Sequence, residues 1–292
     1  MSNPLTIVVT GSNRGIGQGI IQLLAKTQHN QPITIYATSR SGTDLGVQAT
    51  PPNKIHYSKL DISSASSINS FLNTVKDIDV LINNAGINNN NSETPELAQQ
   101  TINVNYQGTR NMCLAFLSKE GGNMASRSGA RIVNVSSTAC QLSNWAPSIR
   151  DRFRGVTSMQ DVDSLADAYI DSVKAGGNAQ KDAGFGSPPK SYQVSKSLVN
   201  ALTVVLAREN PGVSINCCCP GWVDTDMGHQ VGRPPKTLEE GARIPVRLAI
   251  GSLGSDGDRY GALGKGSEAK ASGKYFGNDG VTDRGWGKAR EW

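Results

Sequence analysis

The chain has 292 residues, 37% of them hydrophobic and 18% charged, which suits one large α/β domain or two small ones. Its net charge of +5, from 29 Lys and Arg against 24 Asp and Glu, is scattered without a basic run, so no nucleic-acid footprint is expected. No apolar run approaches the roughly 18 residues of a membrane span, and "MSNPLTIVVTGSNRG" lacks the basic flank and apolar core of a secretory signal, so the expected location is cytoplasmic.

Strand one, "LTIVVT" (5–10), runs into "TGSNRGIG", Thr10 to Gly17, and then into a helical stretch, "GIGQGIIQLLAKTQ". Gly11, Gly15 and Gly17 permit a tight turn and close approach of a phosphate to backbone N–H groups at the helix N-terminus. Asn13, Arg14 and Ile16 complete the turn. The spacing is G-x-x-x-G-x-G, not the general dinucleotide G-x-G-x-x-G, and its weight comes from the strand before it and the helix after it. A second strand, "ITIYATS" (33–39), ends beside Arg40. A site for NAD places an acid here to bond the ribose 2′-hydroxyl, and an arginine accommodates a 2′-phosphate. With Arg14 and Arg40 and no acid at the strand end, the cofactor expected is NADPH/NADP; the alternative is that either arginine is merely solvated.

Further along, "KIHYSKLDI" (54–62), "DVLINNAG" (79–86), "ARIVNVSS" (130–137) and "VSINCCCP" (213–220) read as strands, with "KYFG" (274–277) as a short last one. The amphipathic stretches "SASSINSFLNTVKDI", "TPELAQQTINVNYQGTRNMCLAFLSK" and "SYQVSKSLVNALTVVLAREN" lie between them. Apolar strands alternating with helices predict a doubly wound parallel sheet, the Rossmann fold, as a single domain over 1–292. Residues 143–189 break the rhythm as an insertion containing the helical "DVDSLADAYIDSVKAG", 251–273 reads as a glycine-rich surface loop, and "NNNN" (88–91) as a polar loop. Five cysteines are an odd count for a disulfide framework, and consecutive Cys217, Cys218 and Cys219 suit small buried hydrophobes on alternating faces of a strand. His29, His56 and His229 have no metal-ligand spacing, so no metal site is expected.

In "YQVSK" (192–196), Tyr192 and Lys196 stand one helical turn apart, on one face. A phenol titrates near pH 10, a poor acid at neutrality. A nearby cation favours its ionised form and brings it toward the pH at which a general acid works. Alone, such a pair is a surface coincidence, just as Asn105 alone could be a helix-interior kink and Ser137 a strand terminus.

Together, "TGSNRGIG", "NNAG" (83–86), "NYQGTR" (105–110), "NVSS" (134–137), "YQVSK" and "PGWVDTDM" (220–227) resemble the short-chain dehydrogenases/reductases over nearly the whole chain. More narrowly, the insertion and "CCPGWVDTDM" are similar to the monomeric NADPH-dependent carbonyl reductases. The resemblance implies a catalytic set of Asn105, Ser137, Tyr192 and Lys196. It implies that Asp61 and Ile62 flank the adenine, and that Asn83, Ala85 and Gly86 line the ribose, which Lys196 also grips. Pro220, Val223 and Thr225 would hold the carboxamide and phosphates, with Tyr192 beside the nicotinamide. Trp222 and Met227 would border the substrate with Ser137 and Tyr192, and Asn105 would hold a water linking Lys196 to solvent.

The implied activity is NADPH-dependent reduction of a ketone, aldehyde or quinone, with a small-molecule carbonyl as partner. Two alternatives stay open: a cofactor-binding protein that templates a non-redox step such as a cyclisation, and a dehydrogenase working in the oxidative direction. In relatives without the insertion, the helix bearing the tyrosine packs against its twin. Here Val162, Leu165, Ala166, Tyr169, Ile170 and Val173 form an apolar stripe suited to cover that face, which predicts a monomer.

Overall fold

The computed structural model describes residues 3–75, 77–118, 121–251 and 271–292. Its centre is an eight-stranded sheet in the order β3-β2-β1-β4-β5-β6-β7-β8. The strands are β1 (Leu5–Thr10), β2 (Ile33–Ser39), β3 (Lys54–Lys59), β4 (Val80–Asn83), β5 (Arg131–Val135), β6 (Ser214–Cys218), β7 (Tyr275–Gly277) and β8 (Lys288–Arg290). All neighbouring pairs are parallel except β7 with β8. The order reverses between β1 and β4, whose register aligns Ile7 with Val80 and Val9 with Ile82. At such a switch point the loops leaving the strands' carboxyl ends diverge and open a crevice for a ligand.

The buried strands are apolar because both faces are covered. Ile7, Val9, Ile82, Val133 and Val135 turn to a core shared with α1 (Gly15–Lys26) and α10 (Leu238–Ile250). Val8, Leu81, Ile132 and Ile215 turn to the opposite core. There they meet α2 (Ala65–Thr74), α3 (Pro95–Ile102), α4 (Thr109–Leu117), α6 (Met159–Ala175) and α8 (Ser191–Glu209). The short helices are α5 (Pro147–Arg154), α7 (Ala179–Asp182) and α9 (Asp226–His229). All five cysteines are free and buried, and Cys217 and Cys218 fall in different apolar clusters, as alternation along a strand requires.

Three features differ from the sequence expectation. The amphipathic stretch from 95 to 117 is interrupted by a π-helical segment, Asn103–Gly108. The sequence reading missed α10, where Gly241 and Pro245 interrupt the helical pattern; its start nonetheless carries a capping box between Thr237 and Glu240. Strand β8 was also missed, because "KAR" has no apolar alternation to announce it. Of the glycine-rich stretch 251–273, residues 252–270 lie outside the described residues.

Candidate active site

The turn between β1 and α1 is shaped by glycine. Gly11 has φ +64°, and a Cβ there would fall 2.7 Å from Ala85 Cα. A Cβ on Gly17 would fall 2.2 Å from the Gly11 carbonyl oxygen. Side chains at either place would force the turn apart. Thr10 Oγ1 accepts the N–H groups of Asn84 and Ala85, both at 3.0 Å. Asn84 Nδ2 returns bonds to the carbonyls of Thr10 and Gly11, also at 3.0 Å. Asn84 thus braces the turn, a role sequence reasoning did not separate from the rest of "NNAG".

Among the described residues, the α1 N-terminus has no side-chain cap from Arg14 and no acid in its first turn. Its free N–H groups and positive dipole end therefore suit a phosphate. Arg14 is exposed and pairs with Asp226 at 3.1 Å, while Arg40 is exposed at the end of β2. Across from Arg40, Asp61 is held below the usual carboxylate range, first by its bond from the Ser63 hydroxyl and also by the Arg40 charge. Ile62 is buried against the position of Gly108, so it faces the core as well as the β3 end.

Asn83 was expected at the ribose, but its side chain turns into the core. Its Nδ2 donates to Asn134 Oδ1 at 2.9 Å, and Asn134 donates onward to Thr203 Oγ1 at 2.9 Å. Ala85 and Gly86 stay at the mouth, where a Cβ on Gly86 would lie 3.2 Å from Asn105 Oδ1 and 3.6 Å from Lys196 Nζ.

Asn105 lies inside the π-helical segment, and such bulges re-aim a side chain that an unbroken helix would misdirect. Its Oδ1 accepts from Ile87 N at 2.8 Å. Its Nδ2 donates to Ile87 O at 2.8 Å and to Ser195 Oγ at 2.9 Å. Ser195 in turn donates to the Tyr192 carbonyl at 2.7 Å. Both amide hydrogens are engaged by protein, so a water relay is left with the oxygen or the backbone. Ser195, missed from sequence, links Asn105 to the tyrosine.

Ser137 lies two residues past the end of β5 and caps the following turn, its Oγ accepting from Ala139 N at 3.2 Å. The Ser137 hydroxyl lies on the side of the Tyr192 phenol and favours its ionised form. Burial pushes that phenol up, the Ser137 hydroxyl pulls it down, and Cys219 and Cys140 push it up further. Lys196 is buried, lies 5.7 Å from the Tyr192 ring centroid and donates to Val135 O at 2.8 Å. Burial lowers its ammonium to about 8, opposed by Cys140 and Cys219.

The wall opposite α8 is the loop after β6. The Pro220 carbonyl accepts from buried Lys236 Nζ at 2.7 Å, and Lys236 also donates to Asp283 O at 2.8 Å. This lysine, unremarked in the sequence, ties the C-terminal segment to the loop. Val223 is buried, and Thr225 caps α9 by accepting from Gly228 N at 2.9 Å. Half-buried Trp222 donates to Gly228 O at 2.9 Å, and half-buried Met227 lies on α9, which follows the loop.

A glycine turn at the switch point of a parallel sheet, beside a phenol, a hydroxyl and an ammonium, is the arrangement of a dinucleotide-dependent oxidoreductase. The family model described as "short chain dehydrogenase" matches residues 5–147. The (+)-neomenthol dehydrogenase of Arabidopsis thaliana is 32% identical over 285 residues, covering 85% of this chain and 92% of that protein. Carbonyl reductase [NADPH] 1 of Oryctolagus cuniculus is 30% identical over 261 residues, covering 83% and 90%. Among solved structures, salutaridine reductase from Papaver somniferum aligns with a TM-score of 0.71 at 23% identity, over 94% of this chain and 99% of that one. The chain belongs to the short-chain dehydrogenase/reductase family.

Proposed function

We propose that the protein reduces a ketone, aldehyde or quinone to an alcohol with NADPH, with Tyr192 as proton donor. The carrying observation is the convergence of Ser137, Tyr192 and Lys196 beside a strand-to-helix turn whose glycines leave no room for a Cβ. When bound, the reduced nicotinamide supplies the hydride. The Tyr192 hydroxyl gives its proton to the carbonyl oxygen as negative charge develops there, and Ser137 donates a hydrogen bond to the same atom. Lys196 brings a positive charge beside the developing phenolate, and Asn105 keeps α8 aligned through Ser195.

Gly11, Asn13, Gly15, Ile16 and Gly17 cradle the phosphates, and Arg14 with Arg40 receives the 2′-phosphate. Asp61 and Ile62 flank the adenine, and Ala85, Gly86 and Lys196 the ribose. Pro220, Val223 and Thr225 close over the nicotinamide end, leaving Trp222 and Met227 for substrate. The name of the rabbit relative, carbonyl reductase [NADPH] 1, supports NADPH and carbonyl reduction. That of the Arabidopsis relative supports the same chemistry in the oxidative direction, and cellular cofactor ratios choose between them. The test is NADPH oxidation with a panel of ketones, aldehydes and quinones, followed by its loss of absorbance. Tight NADPH binding with no turnover on any of them would favour a non-redox, cofactor-templated role.

A further inference from the structure

Lys190 precedes α8 as its N-cap residue, and its side chain makes no capping hydrogen bond. The N–H groups that a helix start leaves without intrahelical partners are here taken by side chains from the segment between β4 and α3. Glu93 Oε1 accepts from Lys190 N at 2.9 Å and from Ser191 N at 2.8 Å. Asn90 Oδ1 accepts from Tyr192 N at 3.1 Å and from Ser191 Oγ at 3.2 Å. Asn90 Nδ2 donates to Gln193 Oε1 at 2.6 Å. The polar run 88–91 therefore grips the turn that carries the tyrosine.

The grip extends to the insertion. Tyr169, fully buried on α6, donates its hydroxyl to the same Glu93 oxygen. A carboxylate at a helix N-terminus is stabilised by the dipole. With a phenol on its other side, it joins α6 to the first turn of α8.

We infer that Asn90 and Glu93 are positioning residues for Tyr192, held in register by Tyr169 of the insertion. None of the three touches the reacting atoms. They fix the backbone from which the phenol projects, and among the described residues the first turn of α8 has no other side-chain cap. The inference rests on Tyr192 being the proton donor.

The experiment compares Asn90→Ala, Glu93→Ala and Tyr169→Phe with Tyr192→Phe, reading kcat, KM, NADPH affinity and amide exchange of peptides covering the start of α8. An ångström-scale misplacement of a catalytic group costs about 100-fold in rate. Asn90→Ala and Glu93→Ala should therefore lower kcat by about 10- to 100-fold, with KM and NADPH affinity within about 2-fold of wild type. Amide exchange at Ser191 and Tyr192 should accelerate in both, and Tyr169→Phe should move the same way by less. Asn90→Asp, which keeps the acceptor for Tyr192 N–H, should recover most of the rate. Folded Asn90→Ala and Glu93→Ala proteins with wild-type kcat and unchanged exchange overturn the inference. So does a loss carried entirely by NADPH affinity. If Tyr192→Phe itself keeps full turnover, the reading of the tyrosine fails, while amide exchange still decides whether the clamp exists. Should Glu93→Ala not fold, Asn90→Ala and Tyr169→Phe decide alone.

Discussion

Lys196 donates to the carbonyl oxygen of Val135 at 2.8 Å, while its Nζ stands 5.7 Å from the centre of the Tyr192 ring. The ammonium is thus tethered to the sheet and held near the phenol without bonding it. From sequence, the lysine was the group expected to bring the tyrosine down. In the structure burial dominates both: it raises the phenol and lowers the ammonium, and Ser137 is the group that pulls the phenol down.

A buried ammonium carries a cost that pH can reveal. Folded, Lys196 loses its proton at about 8, against an ordinary 10.5. Between those values the unfolded chain binds more protons, so stability attributable to this group rises with pH. Its penalty, about 3 kcal/mol, is full below pH 8 and is relieved as pH climbs toward 10.5. Lys196→Met should then stabilise the cofactor-free protein more at pH 7 than at pH 10. Losing the bond to Val135 costs about 1–3 kcal/mol at either pH, so the narrowing of the Tm difference is the diagnostic. A difference that stays constant with pH shows that the ammonium is not desolvated.

Tyr192→Phe keeps the ring and removes only the proton donor. General acid catalysis contributes about 10²- to 10⁴-fold, so kcat should fall by that much while NADPH affinity stays near wild type. Stopped-flow turnover together with fluorescence titration of NADPH checks both halves. Substantial remaining turnover means the proton arrives by another route.

Arg14 already has a partner in Asp226, and both side chains are largely exposed, at 70% and 83%. An exposed pair of this kind is worth about 0–1 kcal/mol, so a 2′-phosphate at the glycine turn should displace it readily. Arg14→Ala should weaken NADPH by about 1.5–3 kcal/mol and leave NADH nearly unchanged. Asp226→Asn should tighten NADPH by up to about 1 kcal/mol. Equal effects on the two cofactors, read by titration calorimetry, remove the 2′-phosphate from the account.

What the sequence made legible was whatever repeats a period or needs a special residue. Strands β1, β2, β4, β5 and β6 announced themselves by apolar runs, β3 by alternation in "KIHYSK", and α6 by its stripe of Val162, Leu165, Tyr169 and Ile170. The glycine turn was visible because its geometry tolerates nothing larger. Helix α10 was hidden because Pro245 contradicts the local pattern while packing on α1 and the sheet sustains the helix. Contacts such as Asn90 to Tyr192, or Lys236 to Asp283, were illegible for another reason. They join loops far apart in the chain, and no local spacing records them. Asn83 shows the converse limit: the motif "NNAG" is legible, but the alternation of β4 decides that the Asn83 side chain turns to Asn134.

The insertion poses the last question, which is what α8 would do without it. Helix α6 opens with a capping box between Ser158 and Asp161 and buries Val162, Leu165, Ala166, Tyr169 and Ile170. In the apolar core these side chains meet Val194, Leu198, Leu202 and Val205 of α8, while Tyr106 of the π-helical segment donates to Asp163 at 2.6 Å. Each large aliphatic side chain so buried contributes about 1.5–3 kcal/mol, and together they cover a face that would otherwise seek a second copy of the chain. Wild-type protein at micromolar concentration should therefore scatter light as a single chain of 30.9 kDa. Deleting 156–186 should expose α8 and drive dimerisation or aggregation, and Leu165→Asp should do so more mildly. A stable wild-type tetramer would mean that α6 decorates the surface and that association uses another face.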